Sequence, residues 1–511
     1  MKPGERLAVI DLGSNSFRLV VFSAGASWWR RTDEIYEPVR IGEGLAASGR
    51  LGSKPIERAL ATMDVFAHFC AASGLEAPAI DALATSAIRD AANGDEFLAR
   101  ARARTGLPVR LLDGRAEARY GYLAAVNSTT LSEGVALDLG GGSLQLVAVS
   151  ARAERRSGSW PLGTVRMSER FLSGSGPAKR GQLRRLEDHV RDELCQARWL
   201  SGGGSGGARR LVGIGGTVRN LAAAAQRAAG LPSNGVGGMV IEAEVLEELI
   251  ERLAALSPAK RASVPGIKPA RADLILAGAM VVAGVLRAGG FSGLEATEAG
   301  MREGVFFERL LEGREPPLFE DVRRASVLNL AAQYEADPAH TRHVAALALG
   351  MFDELARLGL HGGDGREREL LWAASMLHDI GMSVDYDDHH KHSRYLILNA
   401  GLPGFSPTEV AIIAQAARYH RKGLPEPRPL APLFGTGDAE RLDRCAVLLR
   451  LAEDLERSRD QLVRDTDLRL RDGILELRLV AEGESVVPRW AASREADLFA
   501  RAFGRELAVA A

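Results

Sequence analysis

Two segments of the chain are near copies, and both carry residue types that can hold phosphate and a divalent cation. Val9–Val20 aligns without a gap on Ala136–Val147. The copies share Asp (Asp11, Asp138), Leu, Gly (Gly13, Gly140), Ser (Ser16, Ser143), a second Leu and Val. Each reads as an apolar strand ending in Asp, then a turn, Gly13-Ser14-Asn15-Ser16 or Gly140-Gly141-Gly142-Ser143, then a second apolar strand. Glycine admits the positive φ angles that let successive backbone N–H groups converge into an anion nest. The Asp before each turn is an acceptor that can hold a hydrated Mg²⁺ beside a phosphate. Two such loops face to face would clamp a phosphoryl group. Strand, glycine turn and strand is also the pattern of any tight hairpin. Asp and Ser repeated at matched positions, however, serve no packing purpose, because neither is buried cheaply without a partner.

A third glycine signal, Gly215-Gly216-Thr217, leads into a helix whose free N–H groups and positive dipole end suit an anion. Glycines for close strand–helix packing, with Thr217 as N-cap, explain the same residues equally well. Glu117 opens the helix after Asp113-Gly114-Arg115-Ala116. A carboxylate there ordinarily complements the helix dipole. The functional alternative is a general base, since phosphoryl transfer to water needs a carboxylate to orient the nucleophile while cations stabilise the equatorial oxygens. Arg18, Arg89, Arg119, Arg166, Arg219 and Arg302 are candidate cations.

Eight of the chain's ten histidines fall between His340 and His420. His343, the adjacent pair His378-Asp379 and Asp454 come from different apolar helical stretches, and together they can make a divalent metal site of mixed N/O type. His390, Lys391, His392, Arg394, Arg421 and Lys422 form a candidate basic lining for a polyanion. His68, His189, His340 and His361 read as ordinary surface or core residues.

A chain of 511 residues divides into several domains. With 65 basic and 66 acidic residues no global field attracts nucleic acid or a membrane surface, so any polyanion site is local. Three distant cysteines fit a reducing cytoplasm. The run Leu274–Leu286 is too short to span a bilayer, and no membrane insertion is expected. Strands over 7–22, 80–86, 108–112 and 135–149 alternate with helices over 55–73, 94–105 and 115–126, which predicts an α/β fold. A strand over 210–214 and helices near 217–229, 243–256 and 270–288 follow. Residues 201–207, nearly all Gly and Ser, read as a surface loop. Pro316-Pro317 forces a boundary, after which the pattern is helical to about 461. Strands around Asp472-Gly473 and a closing helix over 493–508 end the chain.

The motifs Ala8–Phe22, Ala84–Asp90, Gly114–Arg119, Ala136–Val147, Gly163–Arg166, Gly215–Thr217 and Gly300–Gly304 resemble, in order, those of the exopolyphosphatase and guanosine pentaphosphate phosphohydrolase (Ppx/GppA) family. The resemblance implies duplicated α/β halves of the actin, hexokinase and Hsp70 (ribonuclease H-like) type, over 1–125 and 126–313, with the active site between them. It makes Glu117 the catalytic carboxylate with Arg89 beside it, the two turns with Arg18 and Gly215–Thr217 the phosphate site, and Asp138 and Asp11 the holders of Mg²⁺ or Mn²⁺. One departure stands out: the family usually has glutamate where this chain has Gln145, which keeps the shape of a metal ligand and loses its charge. The order of His343, His378-Asp379 and Asp454 resembles the HD phosphohydrolase superfamily, which implies an all-α domain over 318–461 with a second divalent metal, followed by a small α+β segment over 462–511. The expected activity is release of orthophosphate from the end of inorganic polyphosphate by a cytoplasmic homodimer. Alternatives are hydrolysis of guanosine pentaphosphate at the same site, an ATP-dependent sugar or acid kinase, and a non-catalytic alarmone sensor.

Overall fold

The N-terminal repeat folds as a hairpin in which β1 (Arg6–Leu12) pairs antiparallel with β2 (Phe17–Ala24), setting Asp11 opposite Arg18. The computed structural model describes residues 1–201, 209–232, 234–335 and 337–510. Strand β3 (Trp29–Glu37) continues the meander, while β4 (Ile80–Ala84) and β5 (Val109–Leu111) add parallel on the other side, giving the order β3-β2-β1-β4-β5. The second half repeats this plan. Strands β6 (Glu133–Leu139), β7 (Leu144–Ser150) and β8 (Ala153–Trp160) form the meander. Then β9 (Arg210–Ile214), β10 (Val240–Glu242) and β11 (Gly293–Ala296) complete a sheet of order β10-β11-β9-β6-β7-β8. Asp138 lies opposite Gln145, the place that Arg18 takes in the first copy.

The central strands are buried on both faces, as strands flanked by helices must be. Their apolar side chains fill two cores, one around Ile10, Leu19, Phe66 and Phe97, the other around Leu137, Leu146, Val281 and Val285. The apolar run at 274–286 starts at the N-cap Leu274 and continues through the helix Ile275–Gly289, whose apolar side chains are buried in the second core. No helix among the described residues is long and apolar enough to cross a membrane. Between the sheets in sequence runs the helix Gly114–Ser128, capped by Asp113, whose carboxylate accepts from the Ala116 N–H at 2.7 Å. Gly304, on the helix Met301–Leu310, sits against the Tyr120 backbone where a Cβ has no room. A division at 125 therefore cuts a buried helix, and Met1–Val322 forms one compact unit holding both sheets.

Arg323–Ala511 is the other unit. Its core is built by the helices Pro338–Arg357, Gly365–Leu377, His389–Ala400, Pro407–Arg418 and Asp438–Leu455. Strands β12 (Val463–Arg471) and β13 (Ile474–Ala481) pair around Asp472-Gly473. The expected closing helix is shorter than 493–508. It runs Ala496–Phe503, stops at Gly504 in the left-handed region, and is followed by β14 (Leu507–Val509), parallel to β13. Residues 462–511 are not a separate piece: Leu475, Leu477 and Phe499 pack into the same core as Leu371 and Leu448 of the helices. Of the Gly/Ser segment read as a loop, 202–207 lie outside the described residues.

Candidate active site

The two hairpin turns meet face to face. None of Gly13, Gly140, Gly141 and Gly142 lies in the left-handed region, contrary to the sequence-based expectation. The smallness of Gly141 and Gly142 serves close approach instead. A Cβ on Gly141 would lie 2.9 Å from Ser14 Cβ and 3.3 Å from the Asn15 nitrogen, and one on Gly142 would lie 2.8 Å from Ser14 Oγ. Gly215 does require a positive φ, 96°, to turn β9 into the helix Gly216–Ala228 beside Asp138. Thr217 is buried against Gly278, so it packs the helix and does not face the cleft.

Between the turns lies a cleft lined by Ser14, Asn15, Ser16, Gly140, Gly141, Ser143, Gly215 and Gly216, by Asp11, Glu117, Asp138 and Gln145, and by Arg18, Arg219, Arg271 and Arg302. Arg302 Nη1 donates to Asp11 Oδ2 at 2.9 Å, Arg18 Nη1 to Glu34 Oε1 at 2.7 Å, and Arg219 Nη1 to the Glu298 carbonyl at 2.8 Å. Arg271 was missed by the sequence reading. It follows Pro269-Ala270 in no recognisable motif, and only the fold stacks it on Gly216. Burial pulls its pKa down to about 10. Arg119 pairs instead with Glu308 and Arg166 with Asp90, and neither lines the cleft.

Glu117 is 4% exposed and projects from the first turns of its helix into this cleft. Its Oε1 accepts from Arg89 Nη1 at 2.6 Å, and Arg89 also donates to the Leu112 carbonyl at 2.8 Å, which holds it behind the carboxylate. Burial raises the Glu117 pKa, and the Arg89 charge opposes the shift. Gln145 was expected to face a cation. Its amide nitrogen donates to Glu117 Oε2 at 2.6 Å, to Ser143 Oγ at 2.8 Å and to Ser159 Oγ at 3.0 Å, so it orients the carboxylate. Asp138 is pushed up to about 7 by burial, with the charges of Glu117 and Asp11 adding to the shift. Glu117 is buried while Asp11 and Asp138 are half-buried, and the oxygens of the two aspartates form a donor set that suits a hard cation such as Mg²⁺ or Mn²⁺.

In the second unit, His378 and Asp379 do sit in a cluster, but His343 and Asp454 do not join it. His343 Nε2 reaches the Val463 carbonyl at 2.8 Å and Glu456 at 3.5 Å. Asp454 lies beside Arg457 and is pushed up to about 7 by burial and by Glu495. The residues that surround the His378-Asp379 pair are His340, His389, His420 and Glu453. His340, read as ordinary, lies three residues before His343, about 60° short of a full helical turn. Glu453 neighbours Asp454, and a single residue turns a helix by about 100°, which decides the face. Of the proposed basic lining, His390 is fully buried, Lys391 and Lys422 both pair with Asp388, and Arg421 stacks on Tyr386. Arg394 and His392 are half-buried.

The model of the Ppx/GppA phosphatase family matches residues 30–313, and that of Ppx/GppA phosphatase, domain III, matches 322–484. The crystal structure of the Aquifex aeolicus Ppx/GppA family member is 27% identical with a TM-score of 0.51, covering 60% of this chain and 99% of that one. An exopolyphosphatase from Cytophaga hutchinsonii is 20% identical with a TM-score of 0.54, covering 60% and 98%, and an exopolyphosphatase-like protein is 26% identical with a TM-score of 0.53, covering 59% and 96%. The duplicated sheets are thus those of the actin-like class, and the family whose models match is one of phosphatases. The chain belongs to the Ppx/GppA phosphatase family.

Proposed function

We propose that the Glu117 cleft hydrolyses the terminal phosphate of inorganic polyphosphate. The observation that carries this reading is that four arginines, Arg18, Arg219, Arg271 and Arg302, line the cleft that holds the buried Glu117 carboxylate. No aromatic side chain is among the described residues lining it. A chain of phosphates with a charge on every unit is recognised by such cations, whereas a nucleobase calls for a stacking face.

In this reading the terminal phosphoryl lies between the turns of 13–16 and 140–143. Glu117 orients a water molecule and takes its proton as the water oxygen bonds to phosphorus and the bridging P–O bond breaks. Orthophosphate leaves, and the chain is shorter by one unit. Arg302 and its neighbours balance the charge of the equatorial oxygens and of the leaving chain. Asp138, with Asp11, would hold the divalent cation, which supplies charge neutralisation at the phosphates when bound. Arg89 and Gln145 fix the two oxygens of Glu117.

Phosphate release from long polyphosphate, tripolyphosphate and guanosine pentaphosphate, measured side by side with Mg²⁺, tests the proposal. Long polyphosphate should give the highest kcat/KM. A clear preference for guanosine pentaphosphate would overturn the substrate while leaving the cleft chemistry in place.

A further inference from the structure

Ser86 lines the Glu117 cleft and belongs to neither phosphate turn. Its place is set by β4, which runs parallel to β1 with Ala84 beside Leu12. The next residue, Thr85, donates from both its N–H and its hydroxyl to the Leu12 carbonyl at 3.4 Å, which ties the ends of the two strands together. Ser86 follows at once and meets Ser14 of the first turn. The two hydroxyl oxygens lie 3.2 Å apart, and both residues are buried, with 4% of Ser14 and 3% of Ser86 exposed.

Each hydroxyl carries one proton and two acceptor sites. One proton is used between the two oxygens. Whichever way that bond runs, the other proton has no acceptor among the described residues, because neither oxygen has a second hydrogen-bond partner there. A buried donor left without an acceptor costs free energy. Packing holds the pair in place: a Cβ on Gly142 would lie 2.4 Å from Ser86 Oγ and 2.8 Å from Ser14 Oγ, so the second turn rests on both hydroxyls. Asn15 and Arg302, which line the same cleft, repeat the pattern, since Asn15 Nδ2 and Arg302 Nε are buried donors with no partner among the described residues. An oxyanion supplies the acceptor that all three lack, and a hydrogen bond to a charged oxygen is about twice as strong as one between neutral groups. The four-residue helix that Ser86 opens ends on Arg89, which holds Glu117. One turn of chain therefore carries both the second hydroxyl and the clamp on the base.

We propose that Ser14 and Ser86 act as a single hydrogen-bond donor to a non-bridging oxygen of the phosphoryl group held between the turns, which makes Ser86 a phosphate-binding residue outside the repeated motif. This rests on the reading of the cleft as the phosphoryl site. One hydroxyl gives its proton to the oxyanion and accepts the proton of the other, and that second bond polarises the first. Neither oxygen bonds to phosphorus and neither loses its proton. The pair aligns the phosphoryl group for the water that Glu117 activates.

The test is steady-state hydrolysis of tripolyphosphate and of guanosine pentaphosphate by Ser14→Ala, Ser86→Ala and the double variant, with competitive inhibition by orthophosphate and circular dichroism on the same preparations. Each single variant should lose about ten- to a hundredfold in kcat/KM, the worth of a hydrogen bond to a charged group. The double variant should be no worse than the poorer single one, because residues that act as a unit are lost as a unit. The inhibition constant of orthophosphate should rise in step, which a loss of folding stability alone does not bring about. The losses should be equal on both substrates, since the terminal phosphoryl is common to them, so the polyphosphate assignment can fail while the pair stands. Should Ser86→Ala not fold, Ser86→Gly carries the same comparison. Full activity in a folded Ser86 variant, or losses that multiply in the double variant, would overturn the proposal.

Discussion

The amide nitrogen of Gln145 lies 2.6 Å from Oε2 of Glu117, on the side of the carboxylate opposite Arg89, whose Nη1 lies 2.6 Å from Oε1. The carboxylate is thereby held by one cationic and one neutral donor. The neutral donor stands where the internal repeat places Arg18, directly across the hairpin from Asp138.

Replacing that donor with an acceptor has a defined consequence. In Gln145→Glu two carboxylates would meet at this separation, and a like charge favours the protonated form. A base that must be ionised then works only at higher pH, so the acid limb of the kcat/KM profile should move up by about one unit or more, with activity recovered on the alkaline side. An unmoved limb combined with a lower Mg²⁺ requirement would instead put a cation between residues 117 and 145.

Asp138 gives the fold itself a pH dependence. Its folded-state pKa is raised from the ordinary 3.8 to about 7. Between those values the folded chain keeps a proton that the unfolded chain releases, so this group's contribution to stability falls as pH rises through the window. Asp138→Asn, always neutral, should gain in melting temperature relative to wild type as pH goes from 4 to 8 without divalent cations. Melting curves of both proteins across that range check it, and parallel curves would show that the carboxyl is not buried as described.

Close approach of the turns predicts the behaviour of Gly141→Ala. The new methyl would meet Ser14 Cβ at 2.9 Å, so the loops must part. Overpacking of this kind costs about 1–3 kcal/mol, and a displacement of a fraction of an ångström at the phosphate site should lower kcat by about ten- to a hundredfold. Thermal melting and steady-state kinetics on the same preparation separate the two effects.

Much of this was legible in the sequence because it is local. The hairpins, their Asp residues, Glu117 behind its Asp113 cap, and the strand–helix alternation each depend on neighbours within a few positions. What the sequence hid depends on distant contacts. Glycines 141 and 142 are needed for the approach of Ser14 across the cleft and not for their own φ. Arg271 reaches the site only because it stacks on Gly216. In the second unit, the choice between His340 and His343, and between Glu453 and Asp454, is a matter of helix phase, which a pattern of ligand types alone does not fix.

The assignment of Glu117 as the general base of the cleft is tested most directly by phosphate release from long polyphosphate at saturating Mg²⁺ in Glu117→Gln. The amide keeps an oxygen for Arg89 and nearly the same volume, so the variant should fold with an unchanged circular dichroism spectrum. Its turnover should fall by about two to four orders of magnitude. A folded Glu117→Gln protein retaining more than about a third of the wild-type rate, against that expectation, would contradict the account.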